Sequence, residues 1–206
     1  MKNKNLKIGI IDYKINNITS IKNVLKKLKY RFQIVNYRSD LSDLDAFILP
    51  GVGSFPYGIK NLNKNNMIKK IKFEVLTKKK PILGICLGMQ LFSTISEENQ
   101  VTKGLDLIRG NVEFIKPNSK LKTPIVGWYK VKKYKNCNLL KDIKNNSYFY
   151  FDHSLRYNLK NKKNIIASAF HNKTEVISVI KKKKIYGVQF HPEKSREKGL
   201  KLIRNF

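Results

Sequence analysis

The sequence predicts a single α/β domain over residues 1–206 with a mainly parallel central sheet and added antiparallel strands. Three observations carry this. Short apolar runs alternate with helical periodicity through roughly the first 95 residues, the pattern of parallel strands covered by helices on both faces. One of those runs leads into Gly84-Ile85-Cys86-Leu87-Gly88 with a helical pattern directly after it, the strand–turn–helix layout of a nucleophile elbow. The second half of the chain changes character, with runs of β-branched and aromatic residues separated by polar turns.

Residues 6–11 form an apolar run ending at Asp12, as in a buried first strand. Residues 17–28 then place Ile18, Ile21, Val24, Leu25 and Leu28 on one helical face, with Lys22, Lys26 and Lys27 outside it. Residues 32–35 and 45–49 read as the second and third strands, the latter stopped by Pro50-Gly51-Val52-Gly53. A helix is expected over residues 59–78, loosened in its Asn-rich first half, and a strand over 82–85. Further strands are expected at 112–115, 127–131, 147–151, 165–170, 175–180 and 185–190, the last two joined across Lys181 to Lys184 as a hairpin. A final helix begins near Ser195 and carries Leu200, Leu202, Ile203 and Phe206.

At 206 residues and 41% apolar content the chain supports a full-sized core. Against 43 Lys plus Arg stand only 14 Asp plus Glu, a formal charge of +29. Such an excess raises nucleic acid or an anionic surface as a partner. The lysines, however, lie on helix faces and in turns all along the chain, beside abundant asparagine. There is neither an interleaved aromatic–basic platform nor a zinc finger, so the charge reads as a compositional drift and nucleic acid is not expected. No stretch approaches the ~20 apolar residues of a membrane span, and the polar start up to Leu6 has no signal-peptide hydrophobic region. Nothing forces Cys86 and Cys137 to pair, so a reduced, cytoplasmic protein is expected.

Cysteine at the elbow is the chemical centre of the sequence. Gly84 and Gly88 leave no side chain crowding the turn, and the thiol sits at the head of a helix whose free amides favour a thiolate. The alternative is one more buried strand-end cysteine. Three histidines are available to activate a thiol. His191 ends an apolar strand in Gln189-Phe190-His191-Pro192-Glu193, where Glu193 is spaced to return to the imidazole and fix its tautomer. A histidine that merely caps the C-terminal helix is the competing reading. His153, in Phe151-Asp152-His153-Ser154, is placed to line the same cleft. It could instead be the base with Asp152 as its orienter, although adjacent residues on an extended chain point apart. His171-Asn172 reads as a turn, and the scatter of histidines and cysteines argues against a metal site.

Taken together, Pro50-Gly51-Val52-Gly53-Ser54-Phe55, the stretch from Pro81 to Gln90, Gly127-Trp128, Tyr150-Phe151 with His153-Ser154, and the stretch from Gln189 to Ser195 resemble the glutaminase subunits of imidazole glycerol phosphate synthases. That family lies within the Cys-His-Glu class of glutamine amidotransferases. The resemblance covers essentially the whole chain. It implies a three-layer, flavodoxin-like amidotransferase domain with Cys86 as nucleophile, His191 as acid–base and Glu193 as its orienter. It implies oxyanion donors at Leu87 and at Val52 or Gly53, and a substrate site at Gln90, His153, Ser154 and Leu155. The chemistry implied is hydrolysis of glutamine through a γ-glutamyl thioester, without a cofactor or metal. The resemblance further implies that ammonia passes to a separate (βα)8-barrel cyclase in a heterodimer that serves histidine synthesis. The loop from Pro50 to Gly53 is then a suspected switch, since glycines on both sides of Val52 ease a peptide flip; a plain strand-to-helix turn is the alternative.

The chain departs from that family at named places. The usual Asp-Tyr-Gly-x-Gly-Asn is here Asp12-Tyr13-Lys14-Ile15-Asn16-Asn17, Tyr129 follows Gly127-Trp128 in place of asparagine, and Leu155 replaces a common tyrosine. None of these touches the triad. Several fall where the resemblance puts the barrel, so a second destination for the ammonia stands beside the first: acetamidino sugars for surface polysaccharides, through a divergent paralogue. Two rivals from other classes are a cysteine hydrolase or protease using the same elbow, and a non-catalytic basic binding module.

Overall fold

A computed structural model of the chain describes residues 6–15, 17–116 and 123–206. Its elements begin with β1 (Lys7–Ile11), α1 (Ile18–Lys27), β2 (Arg31–Val35) and β3 (Ala46–Leu49). After them come α2 (Phe55–Leu62), α3 (Met67–Lys72), β4 (Ile82–Ile85), α4 (Leu87–Gln90) and the short strands β5 (Ile95–Ser96) and β6 (Thr102–Lys103). The second half contains β7 (Gly110–Phe114), β8 (Ile125–Lys133), β9 (Ser147–His153), β10 (Leu155–Leu159), β11 (Ile165–His171), β12 (Thr174–Lys182), β13 (Ile185–Val188) and α5 (Arg196–Asn205).

Nine strands form the central sheet in the order β2-β1-β3-β4-β13-β12-β11-β8-β9, and β10-β7-β5-β6 form a smaller one. The stretch from β2 to β13 is parallel, and β12, β11, β8 and β9 add antiparallel pairings. Strand alternation sends side chains to two cores, one on each face. Ile8, Ile10, Ile48, Leu83 and Ile85 pack with Ile21, Val24 and Leu25 of α1 and Leu202 and Ile203 of α5. On the other face Phe47, Leu49 and Ile82 pack with Phe55 and Leu62 of α2, Met67 and Ile71 of α3, and Val112 and Tyr157 of the small sheet. Three layers result, as the sequence predicts.

The α1 pattern is met closely: the Asn17 side chain caps Ser20 N at 3.4 Å, and Lys26 and Lys27 occupy the last turn, where the helix dipole favours cations. The single helix expected over residues 59–78 is corrected to several pieces. It begins at Phe55, because Pro56 is tolerated in a first turn that needs no amide donor. It breaks at Asn65 and Asn66, which take φ of 47° and 60°, a conformation that asparagine accepts more readily than most residues. α3 then runs into a π-helical turn, Phe73–Thr77. The expected lysine hairpin forms, but tightly: Lys182 pairs with Ile185, leaving Lys183-Lys184 as the turn. β13 stops at Val188, two residues earlier than expected. The sequence reading missed β10, whose buried Leu155, Tyr157 and Leu159 alternate along an edge of the small sheet.

One register decides where function sits. β13 lies beside β4 with Val188 opposite Ile85. The carboxyl ends of these parallel strands therefore bring position 86 next to positions 189–191, in the crevice where open α/β sheets hold ligands.

Candidate active site

Cys86 follows β4 at φ 53° and ψ −113°, a strained position for a side-chain-bearing residue. Its flanking glycines are required by close approach. A methyl built on Gly88 would lie 1.7 Å from the Leu49 carbonyl oxygen, and one on Gly84 would lie 2.7 Å from the Gly88 oxygen. Cys86 takes the N-cap position of α4, at the head of the helix, and α4 itself is a single turn. What surrounds the sulfur is specific. In its thiol form Cys86 donates to the Asp152 carbonyl at 3.8 Å, and Gln189 Nε2 donates to Sγ at 3.7 Å, a contact that also suits a thiolate.

His191 is held by its backbone, whose N–H donates to the Tyr150 carbonyl at 2.8 Å and whose carbonyl accepts from Ser195 Oγ at 2.6 Å. Pro192 turns the chain so that the Glu193 carboxylate returns to Nδ1 at 2.8 Å. Both side chains are buried, 2% and 3% exposed. Nδ1 donates to Glu193 and leaves Nε2 for the thiol. Burial pulls the imidazole pKa down, but the contacts with Cys86 and Glu193 outweigh it and raise it to about 10. The histidine is a cation near neutrality, able to donate a proton.

Cys86 and His191 share a cavity of about 320 Å³, a size for a small ligand, with Leu87, Gln90, Val52, Gly53, His153, Ser154 and Leu155. All of the sequence-predicted site residues except Glu193 line it, and Glu193 stands behind His191. A roomier cavity of about 520 Å³ at the ends of β1 and β2 contains neither thiol nor histidine, so chemistry and not volume selects the site. Sequence reasoning missed Glu98, which also lines the cavity and accepts from the Phe55 amide. Its Ser96-Glu97-Glu98 context reads only as a polar loop, and no signal in the sequence separates it from other surface glutamates.

His153 differs in kind from His191. Its Nδ1–H donates to the Leu155 carbonyl at 2.7 Å, and Nε2 is buried without a partner among the described residues. Asp152 points outward, 45% exposed and 3.9 Å from Lys194, so it does not orient His153 as a base. Burial, chiefly, holds the His153 pKa near 4. The unfolded chain therefore binds this proton more readily than the folded one. The resulting stabilisation is complete above about pH 6.5 and is lost as pH falls toward 4, at most about 3 kcal/mol. Urea unfolding of His153→Asn is expected to lose correspondingly less stability than the wild type between pH 7 and pH 4. Parallel losses in the two proteins would show that His153 does not titrate in this way.

The remaining expectations meet the structure unevenly. Gln90 Nε2 donates to Gln189 Oε1 at 3.0 Å and to the Leu155 carbonyl at 3.4 Å, so its amide is already engaged while the residue faces the cavity. The Ser154 carbonyl accepts from Ile115 N at 3.0 Å. Val52 N–H donates to the Ile15 carbonyl at 3.1 Å and is thereby engaged, while Gly53 takes φ 93° with no heavy atom within 4 Å of a methyl built on it. Of the departures, Lys14 adopts φ 70° where the resembled family has glycine, and Tyr129 packs edge-on to Phe151 and His171. Asn16 lies outside the described residues.

The glutamine amidotransferase class-I family matches residues 9–206. Imidazole glycerol phosphate synthase subunit HisH 2 of Vibrio vulnificus (strain YJ016) is 41% identical over 202 residues, covering 98% of this chain and 94% of its own. Subunit HisH of Methanocaldococcus jannaschii is 43% identical over 199 residues, covering 97% of each chain. Among solved structures, the structure of PurLQS from Thermotoga maritima matches with a TM-score of 0.74 at 18% identity, covering 97% of this chain and 96% of that one. A glutamine amidotransferase from the same organism matches with a TM-score of 0.68 at 18% identity, covering 97% and 81%. At such identities the structural likeness speaks to the fold alone.

Proposed function

This chain belongs to the class-I glutamine amidotransferase family, and we propose that it is the glutaminase subunit of an imidazole glycerol phosphate synthase. In this reading it hydrolyses glutamine and hands the ammonia to a (βα)8-barrel partner in histidine biosynthesis. The observation that carries the reading is the convergence of a strained Cys86 with the buried His191–Glu193 pair in one small cavity.

Thiolate at Cys86 attacks the side-chain carbonyl carbon of glutamine. His191 Nε2–H then protonates the amide nitrogen as the C–N bond breaks, releasing ammonia and leaving a γ-glutamyl thioester. The neutral histidine next takes a proton from water, whose oxygen attacks the thioester; glutamate leaves and the thiolate and imidazolium are restored. Glu193 supports the imidazolium and holds its orientation. No step draws on a cofactor or metal. Glu98 is suited to the substrate ammonium group, and the unpartnered His153 Nε2 to one of its N–H donors.

Charge on the tetrahedral oxygen needs aimed donors. The Leu87 amide, first in its helix, has no intrahelical partner and supplies one. The second is assigned to Val52 or Gly53; the Val52 N–H is engaged by the Ile15 carbonyl at 3.1 Å, which supports reading the described state as an idle one. Turning that peptide completes the oxyanion site, and docking or ligation of the partner is what drives it.

A docking face is available on β8 and β9. Val126, Trp128 and Tyr148 are exposed there, and Arg196, Lys130 and Lys194 lie over the rings of Trp128, Tyr148 and Tyr150 at 5.3, 5.5 and 5.2 Å. Aromatic residues with basic rims are the composition of an interface rather than of a bare surface. We take residues 1–206 as one domain, since both cores share one sheet, and place it in the cytoplasm, consistent with two free cysteines. No helix among the described residues is long and apolar enough to cross a membrane.

Glutamate release by the isolated chain is expected to be slow, and to rise at least about a hundredfold with the partner and an acceptor-site ligand present. A full rate from the isolated chain would overturn the partner dependence. Glutamate appearing under no condition would overturn the amidotransferase reading.

A further inference from the structure

Tyr13, just past β1, ends in a hydroxyl that the idle site does not use. The residue is 3% exposed, and its oxygen has no hydrogen-bond partner among the described residues. A buried donor left unpaired is costly and calls for a reason. Its position supplies one: a methyl built on Gly51 would lie 2.1 Å from that oxygen, so the hydroxyl abuts the backbone of the oxyanion loop.

The peptide between Gly51 and Val52 is where the hydroxyl acquires a task. Its N–H points at the Ile15 carbonyl, 3.1 Å away. In a planar trans peptide the carbonyl points the opposite way, so the Gly51 carbonyl now faces away from Ile15. A turn that aims Val52 N–H at the cavity swings the Gly51 carbonyl toward Ile15. There it meets the Ile15 carbonyl, an acceptor that repels it, unless a donor is at hand. Tyr13 is that donor: burial first, and then the charge of Cys86, push the phenol well above its ordinary pKa and keep it protonated.

We propose that Tyr13 is a positioning residue for glutamine hydrolysis, donating a hydrogen bond to the Gly51 carbonyl in the turned loop and so holding the Val52 amide on the oxyanion. This rests on the glutaminase reading above and adds a named group to it. Among the described residues the hydroxyl is unsatisfied in the idle state, and it is satisfied in the active one, so it favours the turn from both ends. It also requires glycine at position 51, where any side chain would occupy the place of the hydroxyl.

The test is Tyr13→Phe, assayed in complex with the synthase partner with imidazole glycerol phosphate as acceptor-site ligand. Expected is a fall of about tenfold in kcat for glutamine with KM unchanged, the factor one buried hydrogen bond confers. The melting temperature of the isolated variant should equal or exceed that of the wild type, because an unpaired buried hydroxyl has been removed. Synthesis driven by free ammonia should keep its rate. A kcat equal to the wild type overturns the proposal. A lowered melting temperature with kcat and KM moving together also overturns it, in favour of a packing role. If the wild type itself is not stimulated by partner and ligand, the switching loop fails and Tyr13 loses its role with it.

Discussion

Replacing Cys86 with alanine is expected to lower glutamine-driven turnover of the reconstituted synthase by roughly ten-thousandfold or more, while ammonia-driven synthesis keeps its rate. The sulfur is the only atom in the cavity able to form the thioester, and the residual rate without it would come from binding and the oxyanion donors alone. In the proposed pairing synthesis takes place on the partner subunit, so a supply of free ammonia bypasses the lost step. The substitution is structurally mild. Cys86 is 5% exposed, and alanine at φ 53° meets the same backbone strain as cysteine. Cys137, half-buried beside one core and away from the cavity, provides the control, and Cys137→Ser should leave both rates near the wild type. Glutamate release and product formation are measured on the same preparation. Glutamine-driven turnover near the wild-type level would remove Cys86 from the mechanism.

His191→Asn is expected to be nearly as damaging. Asparagine keeps a donor for Glu193, whereas alanine would leave a buried carboxylate without its partner, a change that destabilises by about 3–5 kcal/mol and confounds the rate. Glu193→Gln should be milder by about a hundredfold, since the base survives with a poorer orientation and a less stabilised cation. The double variant should be little worse than His191→Asn, because members of a catalytic unit do not contribute additively. All three should spare ammonia-driven synthesis. If His153→Asn were as severe as His191→Asn and also failed to form the thioester, the base would be assigned to the wrong histidine. The two histidines differ in the direction of their pKa shifts. His191 is raised by Cys86 and Glu193 against the pull of burial, and His153 is lowered by burial with no charged orienter of its own.

Most of the fold was legible because the sheet is buried on both faces. Ile8 and Ile10, Phe47 and Leu49, and Ile82 to Ile85 lie in apolar runs too short for helices once bounded by Asp12, Pro50 and Cys86, and so read as strands. The elbow was legible for the same kind of reason: only glycine fits where Gly88 meets the Leu49 carbonyl. Local signals failed where local preference was weak. Asn65 and Asn66 can continue a helix or break it, and β10 alternates correctly but is only five residues long, with Arg156 and Asn158 between its apolar positions.

Sequence alone determined which residues are capable of the chemistry: a cysteine between spaced glycines, and a histidine whose acid lies two residues on. That information is local, carried by spacing and by the steric demands of a turn. Only the tertiary structure decided that Cys86 and His191, 105 positions apart, meet at all, because this depends on β13 pairing with β4 and on the register that sets Val188 opposite Ile85. It also decided that Asp152 faces solvent, that Glu98 reaches the cavity and that the Val52 amide is turned toward Ile15. Each of these is a contact between segments distant in the chain, set by the packing of whole elements, and no window of sequence contains both partners.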